Sequence, residues 1–104
     1  MTDVILEDEA ALEVIRAFDW YEEQNEGVGT RLLEAIDSAL ASLPRRWPKM
    51  KLLPDYESLG VRFAEVSKPW PYRLLVVEEA GKLHVVAVAH DSREPGYWRH
   101  RLGR

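Results

Sequence analysis

The sequence contains no cysteine in its 104 residues. Disulfides, thiolate zinc sites and cysteine nucleophiles are therefore excluded. Long apolar runs are missing as well. Leu74–Val77 and Val85–Ala89 are the longest, far short of the roughly 20 residues of a membrane span and of a signal-peptide core. The opening Met1-Thr2-Asp3 carries no basic cluster, so a cytosolic location is expected. No internal period of 20–50 residues is visible, which argues against a solenoid. Neither a G-x-S-x-G elbow, nor a P-loop, nor an H-E-x-x-H motif occurs. His84 and His90 lie about 20 Å apart along an extended strand, too far to share a metal. No cofactor is expected. What is present fits one soluble domain over residues 1–104. Apolar residues make up 46% and charged residues 31%, and ten aromatics, four of them Trp, argue against disorder.

The net charge of −4 hides an asymmetry. Residues 1–43 carry 11 acidic and 2 basic side chains, whereas residues 44–104 carry 7 acidic and 12 basic ones. Such a split can set a basic working surface beside an acidic scaffold, or reflect only solvated helix faces and a sheet rim. A protein that holds a polyanion unaided usually has a basic surface. Here that role would be confined to the C-terminal half.

Val4-Ile5-Leu6 reads as a short strand. Glu7, Asp8 and Glu9 then place negative charge where a helix begins. Ala11, Val14, Ile15, Phe18 and Tyr21 recur at spacings of three and four, predicting an amphipathic helix that breaks at Asn25 and Gly27. A second helix follows, with Leu32 or Leu33, Ile36, Leu40 and Leu43 as its stripe and Pro44 as its stop. The short break predicts an antiparallel helical hairpin. Residues 44–60 hold Pro44, Pro48, Pro54 and Gly60, the cations Arg45, Arg46, Lys49 and Lys51, and the apolar Trp47, Leu52, Leu53, Tyr56 and Leu59. They read as an ordered loop with room for an edge strand at 51–53. Three strands follow at 61–67, 73–79 and 83–90, the last two joined by a turn at Glu79-Ala80-Gly81-Lys82. The segment 97–101 is too short for an independent helix.

This order predicts an α+β fold: an N-terminal strand, a two-helix hairpin, then a three-stranded antiparallel sheet and a short C-terminal segment. Strict alternation puts Val85, Ala87 and Ala89 on one face of the last strand and Val86 and Val88 on the other. Both faces are apolar, yet two helices cover only one. The other needs the 44–60 loop, the C-terminus or a partner.

WPYRLLVV followed by VVAVAHDSREPGYWRHR resembles the C-terminal half of the RelE/ParE toxins of type II toxin–antitoxin systems. The shared features are Trp70-Pro71-Tyr72 entering a strand, then His90, Arg93, Pro95, Tyr97, Trp98 and Arg101. Trp20-Tyr21 on the first helix, the Gly27-Val28-Gly29 turn and Leu43-Pro44 fit the N-terminal half. The resemblance implies the fold just described and a toxin neutralised by a cognate antitoxin. It leaves two targets open. ParE-like members poison DNA gyrase; RelE-like members cleave mRNA on the ribosome. A member that binds a partner and does nothing else is a third reading.

Cleaving RNA through its own 2′-OH requires activation of the hydroxyl, cations for the charge growing on phosphate, and an acid for the leaving oxygen. The resemblance would assign Arg73, Arg93 and Tyr97 to this chemistry, with His90 as acid or base. The lysine pair that RelE-like nucleases carry on the preceding strand is missing. Ala64, Glu65 and Val66 stand there, and the Glu65 carboxylate would repel an anionic substrate. This absence, the acidic net charge and the His-x-x-Arg-x-Pro pattern favour the ParE-like branch. In that branch Lys68, Trp70, Arg73, Arg93, Trp98 and Arg101 become target- or antitoxin-binding residues. Hairpin register gathers Lys68, Arg73, His90 and Arg93 at one sheet end, with Arg73 opposite Val88 and Ser67. Arg62 is expected at the far end, paired with Glu78.

Overall fold

The computed structural model describes residues 3–103. β1 (Val4–Leu6) runs into α1 (Asp8–Gln24), followed by α2 (Val28–Arg46), β2 (Lys51–Leu52), β3 (Arg62–Glu65), β4 (Tyr72–Glu79) and β5 (Lys82–His90). The strands form one mixed five-stranded sheet in the order β1-β5-β4-β3-β2, with β1 parallel to β5 and the other pairs antiparallel. The three-stranded antiparallel sheet expected from the sequence is thus the centre of a larger one. β1 joins beside β5, and the suspected edge strand forms as β2.

The helical hairpin packs on one face. Leu32, Ile36, Leu43, Leu74, Leu83, Val76 and Val85 are all at most 1% exposed there. The first helix turns differently from the predicted stripe. Ala10, Val14, Ala17 and Tyr21 face the core, while Leu12 and Ile15 are 46% and 54% exposed. The two helices meet closely at Gly29, where a Cβ would lie 2.7 Å from the Phe18 carbonyl oxygen. Gly27, at φ 91°, takes the left-handed conformation between them. Its amide donates to the Glu22 carboxylate (3.0 Å), as does that of Thr30 (3.3 Å). α1 therefore supplies the anion for the N-terminus of α2.

Pro44 does not stop α2. The helix continues to Arg46, and Trp47 N–H still reaches the Leu43 carbonyl. Proline removes the one hydrogen bond its own nitrogen would donate. Leu43, fully buried, and Trp47, packed on the core, hold the last turn in place.

The other face is covered by the chain itself. Leu53, Val61 and Trp98 pack with Leu75, Val86 and Ala87, and Tyr56, Tyr97 and Leu102 lie over them. Of the three covers the sequence left open, the loop and the C-terminal segment share the task in place of a partner.

A bulge corrects the strand parity. Leu75 pairs with Ala87, but Val76 pairs with Val85, leaving Val86 as the extra residue. Val86 and Ala87 consequently join the loop-side cluster, while Val85 and Val88 both face the helices. The register shift also places Arg73 opposite Ala89 rather than Val88. Across β3, Arg73 lies opposite Glu65 rather than Ser67, because the connection closes with Val66 N–H on the Tyr72 carbonyl (3.0 Å) and Trp70 N–H on that of Ser67 (3.1 Å). Arg62 lies opposite Val76, not Glu78. Its guanidinium stacks on Trp47 and donates to the Met50 carbonyl (3.2 Å), fixing the connection after α2.

Candidate partner-binding site

At the end of the sheet where β4 begins and β5 finishes, a depression of about 350 Å³ is lined by Arg73, His90, Arg93 and Tyr97, together with Leu53, Asp55, Tyr56, Asp91 and Glu94. β4 brings Arg73 and β5 brings His90. The loop after β5 then turns back over them, with Asp91 N–H on the Pro71 carbonyl (2.9 Å) and Arg93 N–H on that of His90 (3.0 Å). Arg73, His90 and Arg93 therefore meet, as the register argument expected. Lys68 is exposed in the β3–β4 turn but does not line the depression. Trp70, in the same turn, packs edge-on against Tyr21 of α1 (5.4 Å).

Each lining cation already has a neighbour. Arg73 Nε lies 3.6 Å from Asp91 Oδ1, and its guanidinium sits over Phe63. Arg93 stacks on the Tyr97 ring at 3.9 Å. His90 Nδ1 accepts the Ser92 amide (3.0 Å), which leaves Nε2 to carry the proton of the neutral ring. Asp55, Asp91 and Glu94 line the same space, so acids match Arg73, Arg93 and His90 in number.

Tyr97, Trp98 and Arg101 belong to an anchor rather than to open surface. Tyr97 Oη donates to Glu13 Oε2 (2.5 Å). Burial, reinforced by the Glu13 carboxylate, pushes the Tyr97 hydroxyl well above the usual phenol range. Arg101 donates through Nη1 to Glu13 Oε1 (2.9 Å) and to the Val86 carbonyl (3.0 Å), and its Nε lies 3.0 Å from Glu9 Oε2. Burial disfavours its charge, and the Glu13 carboxylate outweighs this, so its pKa rises. Trp98 is 3% exposed against Tyr56.

Glu13 is the residue that sequence reasoning missed. Besides Tyr97 and Arg101, it accepts the Val88 amide (3.0 Å). A signal existed: Glu13 falls inside the buried stripe of Ala10, Val14 and Ala17, where an unpartnered carboxylate would be costly. Among the described residues, no group of three or more His, Asp or Glu side chains is placed to hold a metal ion. Among the described residues, no helix is long and apolar enough to cross a membrane.

The arrangement is that of a small α+β domain with a charged depression at one end of its sheet. Among solved structures, the fold is similar to a chain described as the chromosomal ParDE TA system from P. aeruginosa. The TM-score is 0.74 at 15% identity, over 86% of this chain and 96% of that one. No curated protein matches by sequence. The family model for the ParE toxin of the type II toxin–antitoxin system parDE matches residues 4–95. The chain belongs to this family, and its role is that of the toxin of a type II toxin–antitoxin system, with an antitoxin as its partner.

Proposed function

We propose that this toxin acts in the cytoplasm by inhibiting DNA gyrase, is neutralised by its cognate antitoxin, and works by binding rather than by cutting RNA. The observation that carries the reading is the state of Tyr97. Its hydroxyl is spent on Glu13, and its proton is held more tightly than that of a free phenol. A leaving-group acid must instead aim its proton at the substrate and release it. The lining supports the same conclusion. Asp55, Asp91 and Glu94 line the same depression as Arg73 and Arg93, so a scissile phosphate would meet three carboxylates beside two guanidiniums. Glu65, opposite Arg73 on β3, adds another carboxylate where a nuclease needs positive charge.

In this reading Arg73, Arg93 and His90 form a recognition surface, with Lys68 and Trp70 at its rim. Trp98 and Arg101 hold the C-terminal segment that forms one wall. The test is supercoiling by purified gyrase in the presence of the purified toxin. Supercoiling should fall, cleaved DNA should accumulate, and Arg73→Ala should weaken both while the fold persists. Unaffected gyrase together with toxin-dependent mRNA cleavage on ribosomes would overturn the reading.

A further inference from the structure

A smaller depression, of about 200 Å³, lies on the helix side of the same sheet end. Arg16 and Ala17 of α1, Tyr72 of β4, Val88 and His90 of β5, and Arg93 in the loop beyond bound it. Local periodicity brings them together. Glu13, Arg16 and Ala17 fall at spacings of three and four on one face of α1. Val88 and His90 fall at a spacing of two on one face of β5. Tyr72 is the cross-strand partner of His90, with their rings 5.1 Å apart. His90 and Arg93 also line the Arg73 depression, which lies over the loop-side cluster at Leu75 and Trp98.

The two depressions differ in charge. Carboxylates outnumber guanidiniums in the Arg73 depression, whereas Glu13 is the one acid lining the smaller notch among the described residues. Both oxygens of Glu13 are already taken. Oε1 accepts from Arg101 Nη1 (2.9 Å) and from the Val88 amide (3.0 Å), and Oε2 accepts from Tyr97 Oη. Glu13 and Arg101 cancel one another, and the charge left over is that of Arg16 and Arg93. Arg16 is one of 2 basic residues among 11 acidic ones in the first 43. It nevertheless forms no ion pair among the described residues, and neither does Arg93. The contact of Arg93 with the Tyr97 ring uses no oxygen acceptor, so its N–H fork is still available. His90 adds a neutral donor, because Nδ1 accepts the Ser92 amide and Nε2 carries the proton. Burial keeps the Tyr72 hydroxyl protonated, so it brings no negative charge.

We infer that this notch binds the oxyanion of a small phosphate compound, either inorganic phosphate or a phosphomonoester, between Arg16 and Arg93. The charge count selects the ligand. A phosphomonoester carries about −1.5 to −2 charges at neutral pH, which matches two guanidiniums. A carboxylate carries a single charge and would leave one guanidinium uncompensated. The terminal oxygens of a phosphate can also accept from both forks and from an imidazole N–H together. The volume is below the roughly 300 Å³ at which pockets for whole small molecules begin, so the notch encloses the phosphate and leaves the rest of an ester outside. A nucleic acid strand fits less well. Each phosphodiester carries one charge, and its neighbours would meet Asp19 on α1 and Glu94 beside Arg93. The inference goes beyond the gyrase reading and assumes nothing about the toxin's target.

The test titrates the full chain, without gyrase, with sodium phosphate, adenosine 5′-monophosphate and sodium acetate at constant ionic strength, and follows amide chemical shifts. Phosphate and the nucleotide should shift the amides of Ala17, Val88 and Arg93 and leave those of Asp55 and Leu75 in place. Acetate should bind about tenfold more weakly or less. Tighter binding of the nucleotide identifies an ester whose remainder touches the rim, and equal or weaker binding identifies the phosphate group alone. Arg16→Gln should lower affinity about tenfold without moving the denaturation midpoint. Arg16→Lys should recover only part of the loss, because the charge returns without the fork. No binding of either phosphate, equal binding of acetate, unchanged affinity in Arg16→Gln, shifts confined to Asp55 and Leu75, or preference for a single-stranded oligonucleotide lacking a terminal phosphate would each overturn the inference.

Discussion

At the end of the sheet where β5 finishes, Arg73, Arg93 and Arg101 are engaged. Arg73 is near Asp91, Arg93 lies on Tyr97, and Arg101 is clamped by Glu9, Glu13 and the Val86 carbonyl. At the edge beyond β2, Arg45, Lys49 and Lys51 are exposed and lack ion pairs among the described residues. Both regions come from the basic C-terminal portion of the chain, and composition does not separate them. The difference lies in what the fold delivers to each. α1 carries Glu9 and Glu13 to the first region, while the second is built from a helix end and a strand start with only Glu65 nearby. Arg101, buried among the protein's own acids, supports structure, whereas the exposed Arg73 and the unpaired Arg45, Lys49 and Lys51 stay open to something else.

The sharpest way to break this contrast is Glu13→Ala. It would leave the Arg101 guanidinium, whose side chain is 10% exposed, with only Glu9 and the Val86 carbonyl, and the Val88 amide and the Tyr97 hydroxyl without their acceptor. Removing one partner of a buried pair costs about 3–5 kcal/mol, so chemical denaturation should show a loss of this order. Glu13→Gln should lose less, because it keeps an acceptor for part of the network.

An alkaline titration probes the same anchor. Burial, and then the Tyr21 neighbour, raise the Tyr72 hydroxyl as burial and Glu13 raise that of Tyr97. An unfolded tyrosine loses its proton near pH 10, about where these two still keep theirs. The unfolded chain then binds fewer protons, so the stability contributed by these groups is complete below about pH 10 and declines as pH rises further. Denaturation at a series of alkaline pH values should show this decline, and Tyr97→Phe should make it shallower.

Arg73→Ala should change stability by only about 0–1 kcal/mol, because its contact with Asp91 is exposed. Its effect on gyrase inhibition should exceed its effect on folding. Smallest of all is the Arg45→Gln, Lys49→Gln, Lys51→Gln variant, whose stability should stay within about 0.5 kcal/mol of the parent. A large loss there would show that these cations have structural work after all, and would erase the contrast.

Much of the fold was legible because helices and hairpins announce themselves locally. The three-and-four spacing located both helices, Gly81 located the β4–β5 turn, and the two apolar sheet faces required a second cover. What escaped was set by tertiary contacts. The bulge at Val86 has no mark in a run of Val and Ala, yet it moves Arg73 by one partner and reverses the facing of Ala87. Pro44 reads as a stop, but the packing of Leu43 and Trp47 carries α2 past it. In the candidate site, the meeting of Arg73, His90 and Arg93 followed from hairpin register. That Tyr97 and Arg101 are tied to Glu13 did not, because it depends on where α1 places that residue, more than 80 residues earlier in the chain.

The central claim, a toxin that works on gyrase by binding, is tested most directly by tightly induced expression in bacteria without an antitoxin. Labelled amino-acid incorporation and a DNA-damage reporter are followed together. The account predicts that the reporter rises and cells filament while incorporation continues. Collapse of incorporation within minutes, with a silent reporter, would contradict it and return Arg73, Arg93 and His90 to the chemistry of RNA cleavage.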